Sequence, residues 1–477
     1  MSPSPAQLPD IVIILADDLG HGDLSCYGAS AFTTPVLDAL ARRGRRYTDA
    51  HAASAVCTPS RYALLTGRYP WRSPLQSGVL GGTDPALIPR SIPTLANALH
   101  ELGYLTGAFG KWHLGLGWTL RDGSVRRLDP EKPFEPQMEA NGWDVNYSQP
   151  FHDGPLERGF DTFFGISGSL DMPPYCFLRE DRAETIPSVP KDPLVTSQRP
   201  GPSAPGWIDE DVDPRFAQEA VAWLERTTPR GPGDPPRFLY LATSAPHRPC
   251  VPAERFRGLS GIGPRADSVL MVDEIVGMIQ EALAPSSRPM LIVFTSDNGA
   301  PTCYEEDGAL EDHAPNGSLR GQKADVYDGG HRVPLIIAGE GIEPGTDHSL
   351  VSLLDIFPSL LFHLAGRDAI RDSSQPELDG APWLFEGGDG SDRVLAATAF
   401  DGSFVLMQNG GTAIFSTGSG GFTEPVGAPT SLKGDTGQFF DRREDPRQTT
   451  DIWESSAPVR RSMVSQFLDE TGCDAEP

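Results

Sequence analysis

Positive charge is scarce in this chain of 477 residues: 39 Lys and Arg stand against 65 Asp and Glu, a formal net charge of −26. That balance argues against nucleic-acid binding and against docking on an anionic membrane surface. Cysteine is also sparse. The six, at 26, 57, 176, 250, 303 and 473, form no CxxC pair and no framework spacing. At least five of them therefore read as reduced or isolated thiols. No apolar run approaches the roughly 20 residues that a membrane helix needs. The opening MSPSPAQLPD has neither a basic region nor an apolar core before the first strand. The expectation is a soluble cytoplasmic protein, or a periplasmic or secreted one if a leader has been removed. No internal repeat is present.

What the chain does have is enough length for a large α/β domain and a smaller companion. Its 51 glycines and 46 prolines predict long, shaped loops. The run Ile11–Ala16 is continuously apolar and stops at Asp17-Asp18, as expected of a strand buried on both faces of a parallel sheet. The same pattern recurs at Phe238–Leu241, leading to Ser244–His247, and at Leu291–Phe294, leading to Asp297-Asn298. Ligands bind at the carboxyl ends of strands in open α/β sheets, so these endings are candidates for a single site. Helices are predicted from Thr34 (as cap) to Leu40, from Pro93 to Leu102, and over 214–226 and 265–284. The predicted fold is α/β, a large mixed, mostly parallel sheet flanked by helices, over 1–365. A polar linker over 366–392 and a small C-terminal α+β domain over 393–477 follow. That last domain has strands near 393–400, 403–408, 412–416 and 437–441 and a helix near 456–470. Residues 119–150 and 172–213 read as substrate-shaping insertions.

The segment Cys57-Thr58-Pro59-Ser60-Arg61 is followed by Leu65-Thr66-Gly67-Arg68, with a helix starting near Pro59. A Cys at a helix N-terminus, four residues from an Arg, sits in an electropositive place suited to an anion. On those five residues alone, a phosphate-binding thiol and a structural cysteine are equally good readings.

The longer string CTPSRYALLTGR resembles the signature of the type I sulfatases, members of the alkaline phosphatase superfamily in which the Cys of C-x-P-x-R is oxidised to formylglycine. Further blocks resemble the family in order. Asp17-Asp18 looks like its first metal carboxylates, and Gly110–Gly115 (GKWHLG) like the block supplying Lys111 and His113. Ser244–His247 is similar to the segment carrying a second histidine, His247. Ser296–Gly299 looks like the source of two more metal ligands, Asp297 and Asn298. Gly321-Gln322-Lys323 resembles the segment with the last catalytic Lys, and Phe440–Pro446 resembles a terminal "YDL-x-x-DP" stretch. Ser169, after the Phe164-Gly165-Ile166 run, is a weaker substrate-binding candidate.

The resemblance implies an arylsulfatase-like enzyme cleaving sulfate esters of a small molecule or saccharide, matured by a formylglycine-generating enzyme. It implies Cys57 as nucleophile after conversion, and Asp17, Asp18, Asp297, Asn298 and residue 57 as metal site. An all-oxygen set suits Ca²⁺ or Mg²⁺ rather than Zn²⁺. Arg61 would order the nucleophile, Lys111 and Lys323 stabilise the sulfuryl oxygens, and Asp297 assist attack. His247, with Lys323, would protonate the leaving alcohol and His113 take a proton in sulfate release. His21, Asp23, Arg68 and His331 are read as supports. Two other readings stay open: a phosphonate or phosphate ester hydrolase on this fold, and a non-catalytic anion-binding protein with unconverted Cys57.

Overall fold

In the first strand, β1 (Asp10–Ala16), every residue is buried. Ile11, Ile13 and Leu15 enter one hydrophobic layer and Val12, Ile14 and Ala16 the other. That two-sided burial is why the run is continuously apolar rather than alternating. The computed structural model describes residues 8–129, 132–136, 141–231, 233–303, 313–366, 378–385 and 392–472.

Along the chain the remaining strands are β2 (Arg45–His51), β3 (Leu105–Lys111), β4 (Thr162–Ile166), β5 (Leu178–Arg179), β6 (Arg182–Ala183), β7 (Val189–Pro190), β8 (Pro202–Ser203), β9 (Arg237–Ala242), β10 (Met290–Ser296), β11 (Arg332–Gly339), β12 (Gly345–Ser352), β13 (Leu395–Thr398), β14 (Phe404–Gln408), β15 (Gly411–Phe415) and β16 (Gln438–Phe440). The helices are α1 (Pro35–Arg43), α2 (Cys57–Thr66), α3 (Leu95–Glu101), α4 (Val212–Arg226), α5 (Pro264–Leu283), α6 (Asp328–His331), α7 (Ile356–Ala365) and α8 (Ala457–Thr471).

Ten strands form the central sheet in the order β12-β2-β11-β10-β1-β9-β3-β4-β5-β6. The middle five, β10-β1-β9-β3-β4, are all parallel. β11 runs antiparallel to β10 and β2, and β5 antiparallel to β4. The mixed, mostly parallel sheet is therefore present. Layers containing α2, α3 and α7 cover one face, and α1, α4 and α5 cover the other.

Gly110 shows why one glycine is needed in β3. Its φ is 106°, and a Cβ there would lie 1.8 Å from the Ala242 carbonyl oxygen of β9. Only glycine allows both that conformation and that approach.

A second, antiparallel sheet, β13-β14-β15-β16, carries α8. Its core is shared with the large domain: Phe404, Phe415, Trp453 and Phe467 pack with Ala53, Ala63, Tyr69 and Leu354. Residues 367–377 and 386–391 of the expected linker, and Cys473, lie outside the described residues. Within that stretch, Leu384 and Phe385 join the large domain's core, and Asp379 pairs with Arg72.

Candidate active site

The chemistry-bearing residues gather at the carboxyl ends of the parallel strands. Asp17-Asp18 directly follow β1, Asp297-Asn298 directly follow β10, and β3 ends on Lys111 with His113 beyond it; β9 leads to His247. Cys57 begins α2, one position into the helix rather than ahead of it, with Val56 as the N-cap. Ligand-type atoms of Asp17, Asp18, Cys57 and Asp297 all lie within 4.8 Å of one another, and those of Asp18, Cys57 and His247 form a second such group.

Three buried cations face the three carboxylates. Arg61 donates from Nε (3.0 Å) and Nη2 (2.7 Å) to Asp297 Oδ2, from Nη2 to Asp17 Oδ1 (3.2 Å), and from Nη1 to the Lys111 carbonyl (3.0 Å). Lys111 Nζ lies 2.6 Å from Asp17 Oδ2. Lys323 Nζ lies 2.8 Å from Asp18 Oδ2. In formal charge the cluster balances, which is how three carboxylates can sit out of water together. Burial pushes the Asp17 carboxyl up to about 7, with Lys111 drawing it back. For Lys323 burial works against the charge, but Asp18 more than offsets it and the ammonium is held above its usual range.

The donor set fits a hard divalent cation. Asn298 donates from Nδ2 to Asp18 Oδ1 (2.7 Å) and to the Gly299 carbonyl (2.9 Å), which leaves its buried Oδ1 without a protein partner. An orphaned amide oxygen beside three carboxylates is an oxygen ligand in waiting. Among the described residues, neither candidate group holds the several histidines that a two-zinc site needs.

Both histidines are oriented by carbonyls, so their tautomers follow from their partners. His113 Nε2 lies 2.8 Å from the Leu80 carbonyl and donates to it; its Nδ1 is buried with no partner. His247 Nδ1 donates to the Arg248 carbonyl at 2.5 Å, and its Nε2 lies 3.6 Å from Asp18 Oδ2. Burial first, then Lys111 and Arg61 for His113 and Lys323 and Lys111 for His247, hold both imidazoles well below their usual range.

Two of these residues are strained. Asp18 (φ 63°) and His113 (φ 53°) adopt the left-handed region, as does Ala324 (φ 80°) beside Lys323. Strain of this kind concentrates where geometry matters more than stability.

Several supports carry no signal in the sequence. Thr58 Oγ1 accepts from Leu80 N, fixing the carbonyl that orients His113. Asp213 at the start of α4 takes Ser244 N (2.8 Å) and Oγ (2.7 Å), anchoring the loop to His247. Among the expected supports, Asp23 accepts from Gly20 N and pairs with Arg265, which also donates to the Asp18 carbonyl. His331, at the end of α6, instead pairs with His51 at the end of β2, Nδ1 to Nδ1 at 2.8 Å. His21 packs edge-on against Tyr27, and Arg68 follows the far end of α2. Ser169 is buried with its Oγ unpartnered, in the loop whose Ser167 carbonyl receives His113 N.

The sulfatase family profile matches residues 9–366. The chain belongs to the sulfatase family. It is 30% identical over 499 residues to N-acetylgalactosamine-6-O-sulfatase of Bacteroides thetaiotaomicron, spanning 97% of this chain and 93% of that one. To human arylsulfatase A it is 35% identical over 374 residues, 74% of this chain and 64% of that one. A solved structure associated with glycosaminoglycan metabolism by Bacteroides thetaiotaomicron superposes with a TM-score of 0.78 at 28% identity, covering 98% of this chain and 100% of that one. The phosphonate monoester hydrolase of Agrobacterium radiobacter, at 19% identity and a TM-score of 0.59, shares the fold. This sulfatase is a sulfuric ester hydrolase.

Proposed function

We propose that this sulfatase acts through a formylglycine made from Cys57, with Ca²⁺ or Mg²⁺ held by Asp17, Asp18, Asp297, Asn298 and residue 57, on a sulfated saccharide. The observation that carries the reading is the convergence of those five residues with Arg61, Lys111 and Lys323. A divalent cation added to the balanced cluster leaves a net positive charge, which a sulfate ester meets. The saccharide is supported by the relatives named for N-acetylgalactosamine 6-sulfate, including the rat enzyme at 30% identity.

As a thiol, Cys57 is a poor nucleophile here: burial pushes it up, and the lysines draw it back only in part. Converted and hydrated, residue 57 would offer one hydroxyl to displace the alcohol from sulfur and a second whose deprotonation would expel sulfate and restore the aldehyde, and a cation held by Asp17, Asp18, Asp297 and Asn298 would supply Lewis acidity.

The remaining roles belong to the chain's own side chains. Arg61 is fully engaged with Asp297, Asp17 and a carbonyl, so it positions rather than binds sulfate. Asp297 accepts from Arg61 and from Asp18 N, which suits a ligand better than a proton acceptor. Lys111 and Lys323 offer the charge for the sulfuryl oxygens. His113, with a bare Nδ1, takes the proton that sulfate release frees. His247 presents Nε2; a bound sulfate's negative charge favours protonation of that nitrogen, which then serves the leaving oxygen.

Mass spectrometry of the Cys57 peptide tests the reading. The expected peptide has lost the mass that separates CH₂SH from CHO, and the converted protein releases sulfate from aryl and sugar sulfates. Converted protein without sulfate release overturns it.

A further inference from the structure

We infer that Phe400 and Phe422 form the platform on which the ring of the departing alcohol stacks, an assignment that rests on the sulfate-ester reading. Neither residue belongs to a sequence block of the site. Both come from loops of the C-terminal sheet, Phe400 between β13 and β14 and Phe422 between β15 and β16.

Four backbone hydrogen bonds tie Phe400, in one continuous chain, to residues that flank the site in sequence. Ala55 N donates to the Thr398 carbonyl (2.8 Å), Ala324 N to the Ala55 carbonyl (2.8 Å), Phe400 N to the Ala324 carbonyl (2.9 Å), and Gly78 N to the Phe400 carbonyl (2.7 Å). Ala55 stands two residues before Cys57, and Ala324 directly follows Lys323. The left-handed φ of Ala324 is the local strain that this chain of bonds sustains.

Phe422 is tied to the same residues from another side. It packs on Val56, Val79 and Ala324. Val56 immediately precedes Cys57, Val79 precedes the Leu80 whose carbonyl orients His113, and Ala324 adjoins Lys323. The Asp325 carboxylate pins the loop by accepting from Phe422 N (2.7 Å), Thr423 N (3.1 Å) and Thr423 Oγ1 (2.5 Å).

The two rings lie 6.0 Å apart at 44°, and Phe400 remains 37% exposed. An aromatic side chain whose backbone is hydrogen-bonded to residues flanking the site, and which keeps part of its ring exposed, offers a flat apolar face at little ordering cost. The matching chemistry is a ring with one apolar face bearing the sulfate ester, either the C–H face of a pyranose or an aryl ring. The charged groups handle the sulfate, and the platform handles what leaves.

The test compares kcat/KM for galactose 6-sulfate, 4-nitrophenyl sulfate and the acyclic glycerol 1-sulfate, in the converted, metal-loaded full-length protein. In Phe400→Ala and Phe400→Leu the ratio of ring to acyclic ester should fall roughly 10- to 100-fold, mainly through KM, while Phe400→Trp keeps it. The ring ester with the larger loss identifies the source that the platform serves. Leu retains apolar bulk without a flat face, so it decides the matter should the Ala variant fold poorly. An unchanged ratio in the Leu variant overturns the platform alone. Wild-type protein that releases sulfate from none of the three esters overturns the underlying reading and the platform with it.

Discussion

His113 and His247 are alike in composition and burial, and opposite in which nitrogen is free. Leu80 takes the Nε2 proton of one and Arg248 the Nδ1 proton of the other. That difference predicts different kinetic phenotypes. His247→Ala should slow sugar sulfates about 10²- to 10⁴-fold more than esters of acidic phenols, because a phenolate departs without a proton. The loss should appear in kcat/KM. His113→Ala should still transfer sulfate once and then stall, with the sulfated protein visible by intact mass. A leaving-group series on both variants checks this, and a uniform loss across the series for His247→Ala would assign it to sulfate binding instead. The residue types were legible from the sequence. The proton positions were not, because a carbonyl partner leaves no mark in side-chain identity.

The helices show the same division one scale up. α4 and α5 begin and end within two residues of their predicted bounds, since amphipathic spacing is a local property. Thr34 stands at the expected N-cap position of α1, but its side chain takes no amide of the first turn and bonds Ser25 and Asp38 instead. The amides of Val36 and Leu37 are taken by Asp273 of α5, at 3.2 and 2.8 Å. Removing that cap in Asp273→Ala should cost about 0.5–2 kcal/mol, read as a lower urea midpoint with kcat/KM retained. Burial pushes the Asp273 carboxyl up to about 6. A folded-state value above the unfolded one contributes stability at low pH that is lost as pH rises through about 6. Asp273→Asn keeps one acceptor oxygen for the two amides and has no charge, so it should lose that component of the pH dependence while giving up the bond to one of the amides. β2, β11 and β12 were not anticipated at all. β2 reads Arg-Arg-Tyr-Thr-Asp-Ala-His and buries only part of its length, so no apolar run announces it.

At the scale of the whole molecule, two assemblies are expected to be indispensable. A cation bound only by the folded state adds about 2.7 kcal/mol at a hundredfold excess over its Kd. Exhaustive chelation should thus lower the melting temperature and abolish turnover, and Ca²⁺ or Mg²⁺ should restore both; full activity with no metal by elemental analysis would refute the site. The C-terminal sheet shares its core with Ala53, Ala63 and Tyr69 around α2. A chain cut after Gly366 should aggregate or lack cooperative unfolding by circular dichroism, and a soluble, active fragment would contradict that dependence. What the sequence determined by itself is the cast and its strand-end placement: an apolar run that stops at a carboxylate is a local statement about burial and the end of burial. The tertiary structure alone decided the pairings. Asp18 meets Lys323 across 305 residues and Asp297 meets Arg61 across 236, and Phe400, in a loop of another sheet, donates its amide to the carbonyl of Ala324 next to Lys323. Contacts at such separations depend on how layers and sheets pack together, and no local pattern encodes that packing.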